Sequence, residues 1–171
     1  EQVSPVILRL NLDGTIDYTY NNGLGYFGFV AQHNSGFVDV IKMDGSFYTI
    51  YQSITYDHHE FHLYKLNNDG IPDNIIMNKQ INKEISDLSS DTQTDMHYFN
   101  IISISNDSNN NIYLALDINE TSSSSTRGKI IKILTDSSSL DLTFGTNGIY
   151  QISYESLNNV FIVDVVVDAY D

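Results

Sequence analysis

Short runs of β-branched and aromatic residues, separated by turns rich in Asn, Asp and Gly, dominate the hydrophobic pattern of the chain. Runs of this kind are typical of β-strands. The clearest lie at 6–10, 37–43, 46–52, 61–66, 99–105, 112–117, 128–134 and 160–167. Helical spacing is present over 74–88, where a short helix is expected. The pattern predicts an all-β protein with antiparallel strands.

Asp44-Gly45 separates the strand-like runs 37–43 and 46–52. Because both central residues of a type I′ turn need positive φ, Asp-Gly between two such runs is a strong hairpin signal. The sequence therefore predicts a tight hairpin here. Asn106–Asn111 takes the same place between the runs 99–105 and 112–117.

A nine-residue stretch, Leu140–Gly148, reads LDLTFGTNG and has a weaker copy at Thr15–Gly23. With Asp17 aligned on Asp141, the copy reaches its final glycine one residue earlier. The glycines and the Asn-Gly pair of Leu140–Gly148 suit a turn with positive φ, and Phe144 provides an apolar side chain to pin the turn to a core. Tyr20 aligns with Phe144. The stretch therefore predicts a repeated structural turn.

The segment before this turn is also repeated, as LNLDGTID at Leu10–Asp17 and LNNDGIPD at Leu66–Asp73. Asp17, Asp73 and Asp141 thereby share one repeat position, at a spacing of about sixty residues. Units of this length built from several short strands are typical of propeller blades.

These motifs resemble the delta-60 repeat family of bacterial β-propellers. The resemblance implies antiparallel blades of about four strands each, with no shared catalytic residues, and an extracellular or cell-surface location. The implied division is the end of one blade over 1–30, a second blade over 31–90, a third over 91–150 and the first strand of a further blade over 151–171. This is fewer blades than the four to eight of a closed ring. We expect part of a larger propeller or, alternatively, several chains that close a ring together.

The 171 residues are 41% hydrophobic and carry a net charge of -14, with 22 acidic against 8 basic side chains. So acidic a chain repels nucleic-acid phosphates and anionic lipids, so neither nucleic acid nor a membrane is an expected partner. No apolar run is long enough to span a bilayer. The absence of cysteine excludes thiolate zinc sites and disulfides.

Two sets of residues are candidate metal ligands. Repeat-related positions lie on one face of a ring, so Asp17, Asp73 and Asp141 would form a circle of carboxylates suited to calcium. The structural alternative is that Asp17 caps a turn. On a strand, His58, Glu60 and His62 would share a face and suit zinc, although a solvated loop leading into a strand is the more common role. We expect no resident cofactor.

Nucleophilic catalysis has no support, because no serine lies in a GxSxG context. Tyrosines such as Tyr18 and Tyr20, or Tyr48 and Tyr51, would stack on sugars if exposed and would pack between blades if buried. The expected function is a non-catalytic repeat scaffold for protein interaction or adhesion. The alternatives are a carbohydrate-binding module of a larger enzyme and a metal-binding propeller enzyme.

Overall fold

The computed structural model describes residues 5–28, 35–54, 59–75, 98–119, 126–152 and 162–168. All regular structure in these ranges is antiparallel β-sheet, and they contain no helix, which confirms the all-β class. The helix predicted over 74–88 lies outside the described residues, except for Asn74 and Ile75, which end a strand. The chain forms two compact units, Glu1–Ile76 and Met77–Asp171.

The first unit contains a two-stranded ribbon and a four-stranded sheet. The ribbon, defined as residues 5–28, pairs β1 (Val6–Leu8) with β2 (Tyr26–Gly28). The first sheet is a meander in the order β3-β4-β5-β6, with strands Ser35–Met43, Ser46–Ile54, His59–Leu66 and Pro72–Ile75.

The second unit contains a five-stranded sheet, here called the second sheet. Its strands are β7 (Tyr98–Asn106), β8 (Ile112–Asn119), β9 (Thr126–Leu134), β10 (Ser139–Leu140) and β11 (Ile149–Gln151). Both β10 and β11 pair with β9, so they form one interrupted outer strand. The repeated turn at 141–148 fills the interruption.

The turn residues have the predicted conformations. Asp44 and Gly45 have φ of 49° and 72°, and they join β3 to β4 as the expected hairpin. In the repeated turn, Gly145, Asn147 and Gly148 all have positive φ. A positive φ strains most residues other than Gly, Asn and Asp. The residue types in the sequence therefore determine both turns.

The ribbon packs on the first sheet through a small aromatic core. Tyr20, Phe27 and Leu66 are its buried members. Phe27 meets Phe37 and Tyr64 with ring centroids 5.8 Å apart in both pairs. Tyr20, which aligns with Phe144, therefore anchors its turn to this core.

Residues 162–168 lie against the second sheet without belonging to a strand of the described residues. Ile162 is buried, and its N–H donates to the Asp117 carboxylate at 3.2 Å. Ser103 donates to Asp164, and Asp164 in turn accepts from its neighbour Val165 N–H.

The strand predicted over 160–167 is wrong for residues 162–167, because their hydrogen bonds to the second sheet involve the side chains of Ser103, Ser105 and Asp117 and build no strand ladder. Residues 160 and 161 lie outside the described residues. The predicted blade boundaries stay predictions.

Candidate functional site

Each of the three repeated aspartates forms an ion pair with a basic side chain that lies eight or nine positions earlier in the chain. Arg9 Nε donates to Asp17 at 2.8 Å, and Lys132 Nζ lies 3.4 Å from the Asp141 carboxylate. The backbone repeats the match, because Asp17 N–H donates to the Arg9 carbonyl and Asp141 N–H to the Lys132 carbonyl. The two pairs are therefore equivalent parts of one motif.

The third pair joins Lys65 and Asp73 at 3.4 Å, on a more exposed part of the surface. The sequence interpretation missed all three basic partners. The available signal was a Lys or Arg eight or nine positions before each Asp, directly before Leu10, Leu66 or Ile133. Cross-strand geometry brings the two positions together, and spacing alone did not show it.

The carboxylates of Asp17 and Asp141 also cap the turns that follow them. Asp17 Oδ1 accepts hydrogen bonds from both the N–H and the hydroxyl of Thr19, and Asp141 Oδ1 does the same with Thr143. These threonine hydrogen bonds hold the pKa of each carboxyl below its ordinary value, because they stabilise the ionised form. The capping role predicted for Asp17 is confirmed.

A tyrosine completes the motif in both sheets. Tyr113 lies directly opposite Lys132 on the neighbouring strand, with the Lys132 ammonium 5.5 Å from its ring centroid. Tyr113 also donates to Asp107 at 3.2 Å. In the first sheet, Tyr48 lies opposite Lys65 in the same way. Burial raises the pKa of both tyrosines, so each stays a neutral phenol near pH 7.

The hydrogen bonds and ion pairs of these aspartates stabilise the turns and do not favour cation binding. Both carboxylate oxygens of Asp17 are engaged, one by Arg9 and one by Thr19. Within the described residues, no cluster of three or more His, Cys, Asp or Glu side chains is placed to hold a metal ion. Asp17 and Asp73 lie in the first unit and Asp141 in the second. The calcium circle stays a prediction.

The predicted zinc ligands are only partly described. His58 lies outside the described residues, and Glu60 is placed by its backbone on β5, opposite Ser53. His62 lies on the same strand opposite Tyr51, with ring centroids 6.2 Å apart. Residues 60 and 62 therefore share a face of β5, as the alternation of a strand requires. The zinc hypothesis is untested.

The tyrosines considered for sugar stacking divide by burial. Tyr20, Tyr48 and Tyr51 are buried in the first unit and are not available to a ligand at the surface. Tyr18 is exposed on the ribbon, as is Tyr26. Of the four tyrosines considered, three therefore belong to the core and Tyr18 remains at the surface.

The outer face of the ribbon exposes apolar residues whose repeat equivalents are buried. Alignment of Arg9 with Lys132 makes Leu8 equivalent to Ile131 and Leu10 equivalent to Ile133. Leu8 and Leu10 are 50% and 55% exposed, whereas Ile131 and Ile133 are 1% and 0% exposed. An apolar sheet face of this kind is typical of an interaction surface.

A family model described as a domain of unknown function (DUF5122) beta-propeller matches residues 1–20. These residues contain β1 and the turn of Asp17, and the antiparallel all-β structure agrees with blades of such a repeat protein. No curated protein and no solved structure matches the chain. None of the described residues forms a helix long and apolar enough to cross a membrane.

Proposed function

We propose that the protein is a non-catalytic repeat scaffold of the delta-60 propeller type that mediates protein interaction or adhesion. Its sheets would be blades of a partial propeller or of a larger ring. The family match over residues 1–20 and the antiparallel sheets support the blade interpretation. An extracellular or cell-surface location in a bacterium is supported only by the resemblance of the repeats.

The observation that carries this proposal is the uncovered apolar face of the ribbon. Leu8 and Leu10 expose about half of their surface, although the same repeat positions form the core of the second sheet. Fully burying a leucine side chain is worth about 1.5–3 kcal/mol, so covering the exposed half of each of these two is worth roughly half of that. A protein surface is therefore the natural ligand for this face, whether it comes from a further blade, another copy or another protein.

The absence of catalysis is supported by the chemistry of the repeated polar residues. Asp17 and Asp141 are held by basic side chains and by threonine hydrogen bonds, which keep them ionised and fixed. A general acid needs a raised pKa, and theirs are lowered. Their role is to fasten turns.

Light scattering on the purified chain tests the interaction surface, with Leu10→Ser as the variant and Ser137→Ala as an exposed control. Self-association that grows with concentration and is lost in Leu10→Ser supports coverage by another copy. A monodisperse monomer at every concentration removes that version and leaves a further blade or a foreign protein as the partner. Self-association that is unaffected by Leu10→Ser contradicts the assignment of this face as the interaction surface.

Carbohydrate binding is a second candidate, favoured by the exposed rings of Tyr18 and Tyr26 on the ribbon. Aromatic faces of this kind stack on sugar rings. A glycan array tests carbohydrate binding: hits that are lost in Tyr18→Ala support it, and a blank array counts against it.

The metal-binding enzyme alternative rests on His58, Glu60 and His62, and elemental analysis of the purified protein tests it.

A further inference from the structure

The chain contains two Asn-Gly pairs, Asn22-Gly23 and Asn147-Gly148. All four residues have positive φ, and both asparagines are exposed. In each turn the residue after the glycine donates its N–H to the carbonyl of the residue before the asparagine, at 3.2 Å. Positive φ at both central residues identifies a type I′ turn. The two pairs therefore have the same local geometry.

An Asn-Gly pair is prone to spontaneous deamidation, because glycine has no side chain to hinder attack by its own backbone nitrogen. That nitrogen loses its proton to the solvent and attacks Cγ of the asparagine. The N–Cγ bond forms, the Cγ–Nδ2 bond breaks, and Nδ2 takes up a proton and leaves as ammonia. Water then opens the cyclic succinimide at either carbonyl and leaves aspartate or isoaspartate. The reaction needs no reagent except water.

The type I′ turn opposes this attack. Its first central residue has a ψ of about 30°, the mirror image of a type I turn. At this ψ the glycine nitrogen lies on the far side of the Cα–C bond from Cβ, where the asparagine side chain does not reach it. The turn must therefore open before the reaction occurs. The free energy of such local opening depends on the contacts that hold the segment.

The turn of Asn22 is held by the first sheet, because it touches the turn between β5 and β6. Asn21 N–H donates to the Asp69 carbonyl. The buried ring of Tyr20 lies directly against Gly70. Opening of this turn therefore requires that the ribbon moves away from the first sheet.

The turn of Asn147 is held by different contacts. Thr146 N–H donates to the Ile149 carbonyl at 2.7 Å, so a second hydrogen bond closes the turn on itself. Ile149 also begins β11, which pairs with β9 in the second unit. Separation of the ribbon from the first sheet leaves these contacts in place. Asn147 is therefore an internal reference for Asn22.

We infer that Asn22 is a site of spontaneous deamidation, and that docking of the ribbon on the first sheet protects it. Within the described residues, neither the Asn22 side chain nor Gly23 N–H has a hydrogen-bond partner, so neither group has to break one before it reacts. Isoaspartate adds a methylene group to the main chain inside the turn, which displaces Asn21 from Asp69. The modification therefore weakens docking in return. This inference goes beyond the proposed function and does not depend on it.

Incubation of the purified chain at mildly alkaline pH, followed by peptide mapping with mass spectrometry, measures deamidation of both pairs in one sample. Gly70→Ala should accelerate the reaction at Asn22 about fivefold or more, because the added methyl group overlaps the ring of Tyr20. The rate at Asn147 should not change. Gly45→Ala is the matched control, since its added methyl group has no atom within 4 Å, and it should leave the rate at Asn22 unchanged.

A synthetic peptide with the sequence of residues 17–27 provides the unprotected rate, and Asn22 should react more slowly in the intact chain than in this peptide. In isoaspartate-containing protein, hydrogen exchange at the Asn21 amide should be faster. Equal rates in peptide and chain, equal acceleration by the two glycine variants, or equal acceleration at Asn22 and Asn147 would each overturn protection by docking. Absence of deamidation at Asn22 in both the unchanged chain and Gly70→Ala would overturn the site itself.

Discussion

Gly70 is the position at which the packing of the ribbon on the first sheet is most open to test. Its φ is 77°, and a Cβ built there would overlap the buried ring of Tyr20. Gly45 provides the matched control, because it has φ of 72° with no atom within 4 Å of a built Cβ. Gly70→Ala therefore adds both backbone strain and steric overlap, whereas Gly45→Ala adds only strain.

The expected costs follow from these two terms. Left-handed backbone costs an L-residue about 1–2 kcal/mol, so Gly45→Ala should lower the free energy of unfolding by that amount. Overpacking adds about 1–3 kcal/mol, so the expected cost of Gly70→Ala is about 2–5 kcal/mol. Tyr20→Ala alone should cost about 3–5 kcal/mol, by analogy with buried Phe. In the Tyr20→Ala background the overlap disappears, and Gly70→Ala should cost no more than Gly45→Ala.

Urea unfolding followed by circular dichroism measures all four variants and gives the coupling energy of the double-mutant cycle. The coupling should equal the overpacking term of about 1–3 kcal/mol. Equal effects of Gly70→Ala and Gly45→Ala in the otherwise unchanged protein would refute the docking of the ribbon on the first sheet. Strict additivity of Gly70→Ala and Tyr20→Ala would refute it as well.

Three further predictions concern two aspartates and the binding of zinc. The Thr143 hydrogen bond lowers the pKa of Asp141, so its stabilising effect is present above the ordinary value of 3.8 and is lost as pH falls through the lowered value. Asp141→Asn should flatten the acid limb of a melting-temperature profile, and an unchanged limb contradicts this. Burial raises the pKa of Asp117, so its ionised form destabilises the protein once pH exceeds that pKa. Asp117→Asn, which still accepts from Ile162, should melt higher at pH 7 but not in acid, and a lower melting temperature at pH 7 opposes this. Zinc should leave the melting temperature unchanged, and a rise that His62→Ala abolishes would establish the metal site.

The repeated turns were predictable because their residue types favour positive φ. Asp44-Gly45 and the glycines of 141–148 restrict the backbone locally, so the hairpin and the repeated turn followed from the residues alone. The capping role of Asp17 followed for the same reason, since an Asx side chain reaches the N–H two residues further along the chain.

The cross-strand partners were not predictable to the same degree. Arg9 and Asp17 are neighbours because a turn folds the chain back at a defined register, and the third copy of the motif is one residue longer. The buried position of Tyr20 likewise depends on Gly70, which is far away in sequence. Such contacts depend on register and packing between elements, which residue type does not specify.

By itself the sequence determined that this chain is an all-β protein with repeated turns, because turn chemistry and β-branched runs act over a few residues. Only the tertiary structure decided which repeated residues are core and which are surface. Leu10 and Ile133 share one repeat position, yet the first is exposed and the second is buried. The reason is that burial depends on what lies against a sheet face, and that neighbour is not encoded within the repeat.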